Sequence, residues 1–598
     1  MAGLDYAVTG NCEIASLIDP RGRHVWCCYP RLDGDPLFHA LLGGETPESG
    51  YFEVRVADFA GSAQRYLPNT AIVETMLHDV HGGCVRIVDF CPRFRRYGRI
   101  FRPAMLMRRV ELVSGQPRVT VVLRPGFEYG AVRPEAVAGS HHVRFAGPET
   151  AVRLTTDMPL SYLLHEADFS LGRPVSFVLG PDEPLTSAPG PLLDQFLQET
   201  MAYWQGWVAD LNIPFDWQEA VIRAAITLKL CTYEDTGGVV AALTTSIPEA
   251  PGSARNWDYR FCWPRDSYFT INALNRLSAT RTMENFIGYV QDTMLRDANA
   301  EIAPLFTIAP GMETEERIAP ALAGFHGLGP VRIGNAAHAQ RQNDAYGAII
   351  LSLAQMFFDA RLPARGDLAL YRRLRPLGKM AERIALTPDA GPWEFRTRAD
   401  VHTFSAAMCW AALSKLGLIA RAVGQIAEGD AWTAKADELR EQILARAIVP
   451  NGGWISGVLD DAALDASVLL LPEIGMISAT APAFLKTLDV VEARLMRDGF
   501  LLRYETPDDF GTPETAFLVC SFWYVNALVM AGRPEAARGL FEKILERRNH
   551  VGLLSEDLDP RGGELWGNFP QTYSQVGLIL SAMRLSRSWE EGMWRGLS

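Results

Sequence analysis

Near residue 200 the spacing of apolar residues changes from alternation to a helical repeat, and this change constrains the 598-residue chain more than any other feature. Before it, runs such as YFEVRVADF (51–59), CVRIVDF (84–90), RVTVVLRP (118–125) and VSFVLG (175–180) are short, alternating or β-branched, and separated by Gly, Pro, Asn and Asp. Many strands at this spacing predict an N-terminal antiparallel β-sandwich over residues 1–185. A Pro/Gly/Asp-rich stretch at 181–191 reads as a linker, and 192–211 repeats Leu, Phe, Met and Trp at helical spacing. Residues 186–215 are therefore expected to be a linker with a bridging helix.

From 216 to 598 the period stays helical, and we count about twelve helical stretches, including 281–297 and 463–473. Some, such as AAMCWAALSKLGLI (406–419), are apolar nearly all round; others, such as WTAKADELREQILARAI (432–448), carry a charged face. Alternating buried and amphipathic helices predict six hairpins closed into an all-α (α/α)6 barrel, or toroid, as the catalytic domain.

Charge and composition narrow the partners. Lys+Arg 57 against Asp+Glu 70 leaves a net charge of −13, which repels a polyanion and argues against nucleic acid. The longest apolar runs are interrupted by polar residues, so no membrane span is expected. Nine scattered cysteines, an odd number without a CxxC pair, argue against a disulfide framework or a structural metal. With no basic start followed by an apolar stretch, a cytoplasmic location is expected. The exposed-looking basic run RFRRYGRIFR (93–102) reads as a solvated face.

A helical toroid places its pocket where loops converge, and the interhelix loops here are dense in Trp, Tyr, Arg and carboxylates. Aromatic faces cover sugar C–H patches while charged and amide groups bind hydroxyls, so this mixture suits a small carbohydrate. In NWDYRFCWPRDSYF (256–269), Asp266 could accept from hydroxyls, Arg265 donate and Trp263 stack; an Arg265–Asp266 surface ion pair is the plainer alternative. Glu394 lies between Trp393 and Phe395, an apolar setting that favours a protonated general acid, whereas pairing with Arg396 or Arg398 would do the opposite. The 551–580 segment offers Glu556, Asp557, Asp559 and Glu564 before a helix. Two further loops carry Arg503, Asp508, Asp509 and Glu514, and Arg332, Asn335, Gln342 and Asp344. No GxxxxGK[ST], GxSxG or HExxH is present.

In this order, NWDYRFCWPRD, PVRIGN, GPWEFR, PETAFLVCSFW and GLLSEDLDP with GNFPQTYS resemble the sequence blocks of glycoside hydrolase family 15, which holds glucoamylases, glucodextranases and bacterial trehalases. The resemblance spans almost the whole chain. It implies an inverting exo-hydrolase that needs no cofactor and no metal, with Glu394 as general acid and Glu556 as general base. It also implies that Asp266 and Arg265 hold the terminal glucose, Trp263 forms part of the pocket wall, Tyr259 lies near the base, and Arg503 binds substrate; Trp393, beside Glu394, is also expected to bind substrate. Asp258 and Glu514 match positions to which no role is assigned. Inversion leaves room for a water, so the carboxyl groups are expected about 6.5–9.5 Å apart, with Glu394 protonated and Glu556 ionised. Pro264, Ala406 and Gln575 depart from the family pattern and bear on the second subsite. Release of β-glucose from maltooligosaccharides or short α-glucans is the first expectation and α,α-trehalose the alternative, ahead of a phosphorylase or a non-catalytic sugar-binding protein. No oligomeric state is assigned.

Overall fold

The computed structural model describes residues 3–296 and 301–595. Residue 297, the last of the helix expected at 281–297, lies outside them.

Two antiparallel sheets form the N-terminal sandwich. A seven-stranded sheet runs from Ala7–Gly10 through Ala15–Ile18, His24–Tyr29, Tyr51–Val56 and Arg118–Arg124 to Phe169–Ser170, with Asp35–Phe38 on His24–Tyr29. An eight-stranded sheet ends on Val175–Pro181, Leu106–Ser114, Cys84–Phe90, Val73–Asp79 and Phe59–Tyr66. Alternation puts Val85, Ile87, Val119, Val121 and Phe177 into one shared core. The helix Pro189–Ala209 then leads out of the sandwich, burying Leu193, Phe196, Trp204 and Val208 at helical spacing.

The remaining helices close into two concentric rings. Pro264–Arg276, Asp344–Phe358, Thr403–Ala422, the 3-10 turn Ala466–Leu470, Leu518–Met530 and Thr572–Leu585 each contact the next, and the last returns to the first. Around them lie Gln218–Leu230, Thr280–Tyr289, Leu368–Ile384, Ile426–Ala447, Pro482–Leu495 and Pro534–Leu545. The helix expected at 463–473 shrinks to the 3-10 turn, and Pro472, next after its C-cap Leu471, has no N–H to continue the ladder. Thr403–Ala422 has a mean hydropathy of 1.4 over its most apolar window, which by length and composition would span a bilayer; 83% of that window is buried inside the ring.

The sandwich buttresses the segment that leads to the first inner helix. Trp26 Nε1 donates to the Leu243 carbonyl at 2.8 Å. Arg260, fully buried, pairs with Asp258 at 2.7 Å and donates to Tyr129 Oη at 2.7 Å and to the Gly34 carbonyl at 2.9 Å. Asp258 thus acts structurally, joining the two halves. The tip of the basic run is a hairpin, Phe94–Arg96 with Arg99–Phe101; Arg95, Arg96 and Arg99 are solvated on it, while Arg93 is buried against Glu234.

Candidate active site

Loops at the N-terminal ends of the inner helices enclose a cleft. Its first wall is built at Pro264–Arg276. Pro264 sits in the first turn, where its missing N–H costs nothing and its fixed φ suits the helix. Trp263, Arg265 and Asp266 therefore project together from one helix start into the cleft. Arg265 is fixed by three acceptors: Gln342 Oε1 at 3.0 Å, Asp344 Oδ2 at 3.3 Å and Glu394 Oε1 at 3.1 Å. Among the described residues no group donates to the Asp266 carboxylate; burial pushes its pKa up to about 7, against the pull of Arg265. A desolvated acceptor facing a cleft calls for a donor from the ligand, and sugar hydroxyls supply one.

Glu394 meets this wall from the loop before Thr403–Ala422. Its φ is +62°, a left-handed conformation that costs a non-glycine residue about 1–2 kcal/mol. Three donors meet on Oε1: Trp263 Nε1 at 2.6 Å, Arg265 Nη2 at 3.1 Å and Gln342 Nε2 at 3.2 Å. Oε2 receives none from the described residues and is the oxygen left to exchange a proton with a ligand. The adjacent Trp393 is anchored by Nε1 on Asp465 at 2.6 Å and packs against Tyr504, Phe517 and Trp523.

Glu556 enters the short strand Asp557–Leu558, and Leu518 N donates to its carbonyl at 3.0 Å. Tyr259 Oη donates to Oε1 at 2.6 Å and Asn568 N to Oε2 at 3.4 Å. The two glutamates are linked through a pair of aromatic residues. Tyr259 holds Glu556, Trp263 holds Glu394, and the two rings meet edge-on at 5.5 Å. Glu556 itself is 0% exposed, with Tyr259 and Glu249 forming the cleft wall beside it. Burial pushes its pKa up to about 8, Glu249 adds to the rise, and Tyr259 and Arg503 oppose it. This corrects the expectation that Glu556 stays readily ionised: the burial and the Glu249 carboxyl that oppose its ionisation come from distant segments.

Arg503 borders the cleft and pairs with Glu249 Oε2, while Trp257 Nε1 donates to Glu249 Oε1 at 2.7 Å. Glu249, Arg255, Trp257, Gln571 and Tyr573 line the cleft without having been singled out from the sequence. Trp257 lay within a run already chosen; Glu249, in an IPEAPG loop, carries no local signal. Asp508, Asp509 and Phe510 cross the outer end. Asp508 receives Arg255 at 2.7 Å, Asp509 receives Arg396 N at 2.6 Å, and Phe510 meets Trp257 at 5.1 Å. Glu514 is exposed. Asp559 and Glu564 lie outside the lining residues, and Asp557 lies behind them, bonded to Thr515 at 3.1 Å. Ala406 and Gln575 are fully buried; Gln575 Nε2 donates to the Leu554 carbonyl at 3.2 Å, so these departures support the scaffold behind the cleft.

The family model described as Glycosyl hydrolases family 15 matches residues 216–583. The chain belongs to this family. It is a glycoside hydrolase, and a second match, described as Trehalase-like, N-terminal, covers residues 6–158 of the sandwich. The chain is 31% identical to a trehalase of Thermoplasma volcanium, over 97% of this chain and 93% of that protein. It is 32% identical to a trehalase of Mycobacterium tuberculosis, over 99% of this chain and 91% of the other. A crystal structure of a bacterial glucoamylase complexed with acarbose shares the fold, with a TM-score of 0.70 and 14% identity over 98% of this chain and 94% of that one.

In this family 15 hydrolase, one carboxylate oxygen from each of Glu249, Glu556 and Asp557 lies within 4.8 Å of the others, the arrangement among the described residues that comes nearest to a cation site. Arg503 already bonds Glu249 there, so a guanidinium supplies positive charge to the cluster.

Proposed function

We propose that this hydrolase cleaves α,α-trehalose by inversion, with Glu394 as general acid and Glu556 as general base. The substrate reading is carried by the full-length likeness to proteins named trehalase, 31% identical over 97% of the chain, and it takes the place of the maltooligosaccharide expectation. The loop at Asp508–Phe510, tied across the outer end of the cleft by Arg255 and Arg396, supports a short substrate over a long glucan.

One glucose docks against Asp266, Arg265 and Trp263. Glu394 Oε2 gives a proton to the bridging oxygen as the bond from the anomeric carbon to that oxygen breaks. Water attacks the same carbon from the opposite face and passes a proton to Glu556, whose Oε1 is oriented by Tyr259. Glu556 returns that proton to solvent and Glu394 regains one, leaving one glucose as the β-anomer and the other as α. No cofactor enters these steps. The nine cysteines are buried free thiols, which supports a reducing, cytoplasmic setting.

The test is glucose release from trehalose, maltose and isomaltose, with the first anomer formed read by proton NMR. Trehalose is expected to have the highest kcat/KM, with Glu394→Gln and Glu556→Gln each lowering kcat by about 10²–10⁴-fold. Maltose turned over as well as trehalose would overturn the substrate; full activity of either variant would overturn its role.

A further inference from the structure

The acid–base pair leaves Glu249 without a part. It sits in the loop before the first inner helix, is 2% exposed, and forms cleft wall beside the fully buried Glu556. Trp257 Nε1 and Arg503 Nη2 each bond one of its oxygens, and Arg255 stands at 3.9 Å from it while bonding Asp508. Two donors, one of them a guanidinium, hold the Glu249 carboxylate in place.

Its neighbours make that anion matter. One carboxylate oxygen from each of Glu249, Glu556 and Asp557 falls within 4.8 Å of the others, and all three residues are buried. Three carboxyl groups cannot all ionise at that spacing against Arg503. Asp557 is the one suited to hold a proton: Oδ1 is bonded to Thr515, Oδ2 has no partner among the described residues, and burial with both glutamates holds its pKa well above the carboxylate range. Glu556 is left facing the fixed charge of Glu249, with Tyr259, the Asn568 N–H and Arg503 opposing its effect.

We propose that Glu249 is a positioning residue for the base, its anchored negative charge keeping Glu556 a strong proton acceptor. The inference rests on Glu556 being the base of the proposed reaction. A carboxylate that merely anchored Trp257 and Arg503 would influence activity without setting the proton affinity of Glu556.

The deciding measurement is the pH profile of kcat/KM on the best glucoside for wild type, Glu249→Gln and Glu249→Asp, each checked for folding by circular dichroism. Removing the charge is expected to displace the acid limb to lower pH by about one unit or more, while the aspartate variant keeps the wild-type limb. An acid limb unmoved in Glu249→Gln, or moved equally in both variants, overturns the proposal. Infrared titration reads the same quantity without substrate: the carboxyl C=O band of Glu556, assigned by its loss in Glu556→Gln, should vanish at lower pH in Glu249→Gln than in wild type. A protein that turns over no glucoside refutes the substrate reading alone, and the infrared titration then decides this one.

Discussion

Gly567→Ala tests the base site through its packing. Gly567 has φ +75°, and its N–H donates to the Pro248 carbonyl at 2.8 Å, so the turn is tied in place. A Cβ added there would lie 2.7 Å from Glu556 Cβ, 2.8 Å from Glu556 Oε2 and 3.1 Å from Asp557 Oδ2. Carbon atoms pack at about 3.5 Å or more, so the glutamate must retreat by roughly 0.8 Å. A displacement near 1 Å at a reacting group costs about 100-fold in rate, so we expect kcat to fall roughly 10–100-fold. Left-handed strain of about 1–2 kcal/mol and overpacking of about 1–3 kcal/mol together destabilise the protein by about 2–5 kcal/mol. Steady-state glucose release and thermal unfolding read the two effects. Gly475→Ala is the control: its φ is +84° with no atom within 4 Å of the added Cβ, so it should lose stability through strain alone and keep its kcat. Equal kcat values in the two variants would refute a base at Glu556 held by this turn.

Arg260→Ala strands the buried Asp258 carboxylate and removes bonds to Tyr129 and Gly34, so denaturant unfolding should show a loss of about 3–5 kcal/mol; a loss below about 1 kcal/mol would mean the pair does not join the halves. Glu556 has a folded pKa of about 8 against an ordinary value of 4.5, so its contribution to stability is present below 4.5 and lost as pH rises through 8. The melting temperature of Glu556→Gln should therefore gain on wild type between those pH values, and parallel curves would contradict the burial argument. Asp509→Ala frees the outer loop from Arg396 and Thr397, and KM for the disaccharide should rise about 3–10-fold with kcat little changed; an unchanged KM would show that the loop does not close the second subsite.

Much of the scaffold was legible before any coordinates. Alternation at 84–90 and 118–125 and helical repeats at 406–419 and 432–448 mark elements that the structure contains, because the period of buried residues follows directly from backbone geometry. The cluster of Trp263, Arg265 and Asp266 was equally readable, since a single helix start carries all three into the cleft. Even the stop after the inner element at 466–470 is in plain view at Pro472, which has no N–H to donate.

The protonation of the site was not readable in that way. Aromatic neighbours in sequence pointed to Glu394 as the desolvated carboxyl, yet Trp263, Arg265 and Gln342 supply it with donors, while Glu556 is closed off by the residues around Tyr259 and Glu249. The guanidinium hydrogen-bonded to Glu249 belongs to Arg503, 254 positions away, so no window of sequence could reveal that pair. The amino-acid order by itself determined the two kinds of element, their ring-forming alternation and the helix-start cluster, because these depend on local period and local chemistry. The tertiary structure alone decided which carboxyl groups are desolvated and which charges face one another, because burial and Coulomb interaction depend on distance in space between segments that the chain keeps far apart.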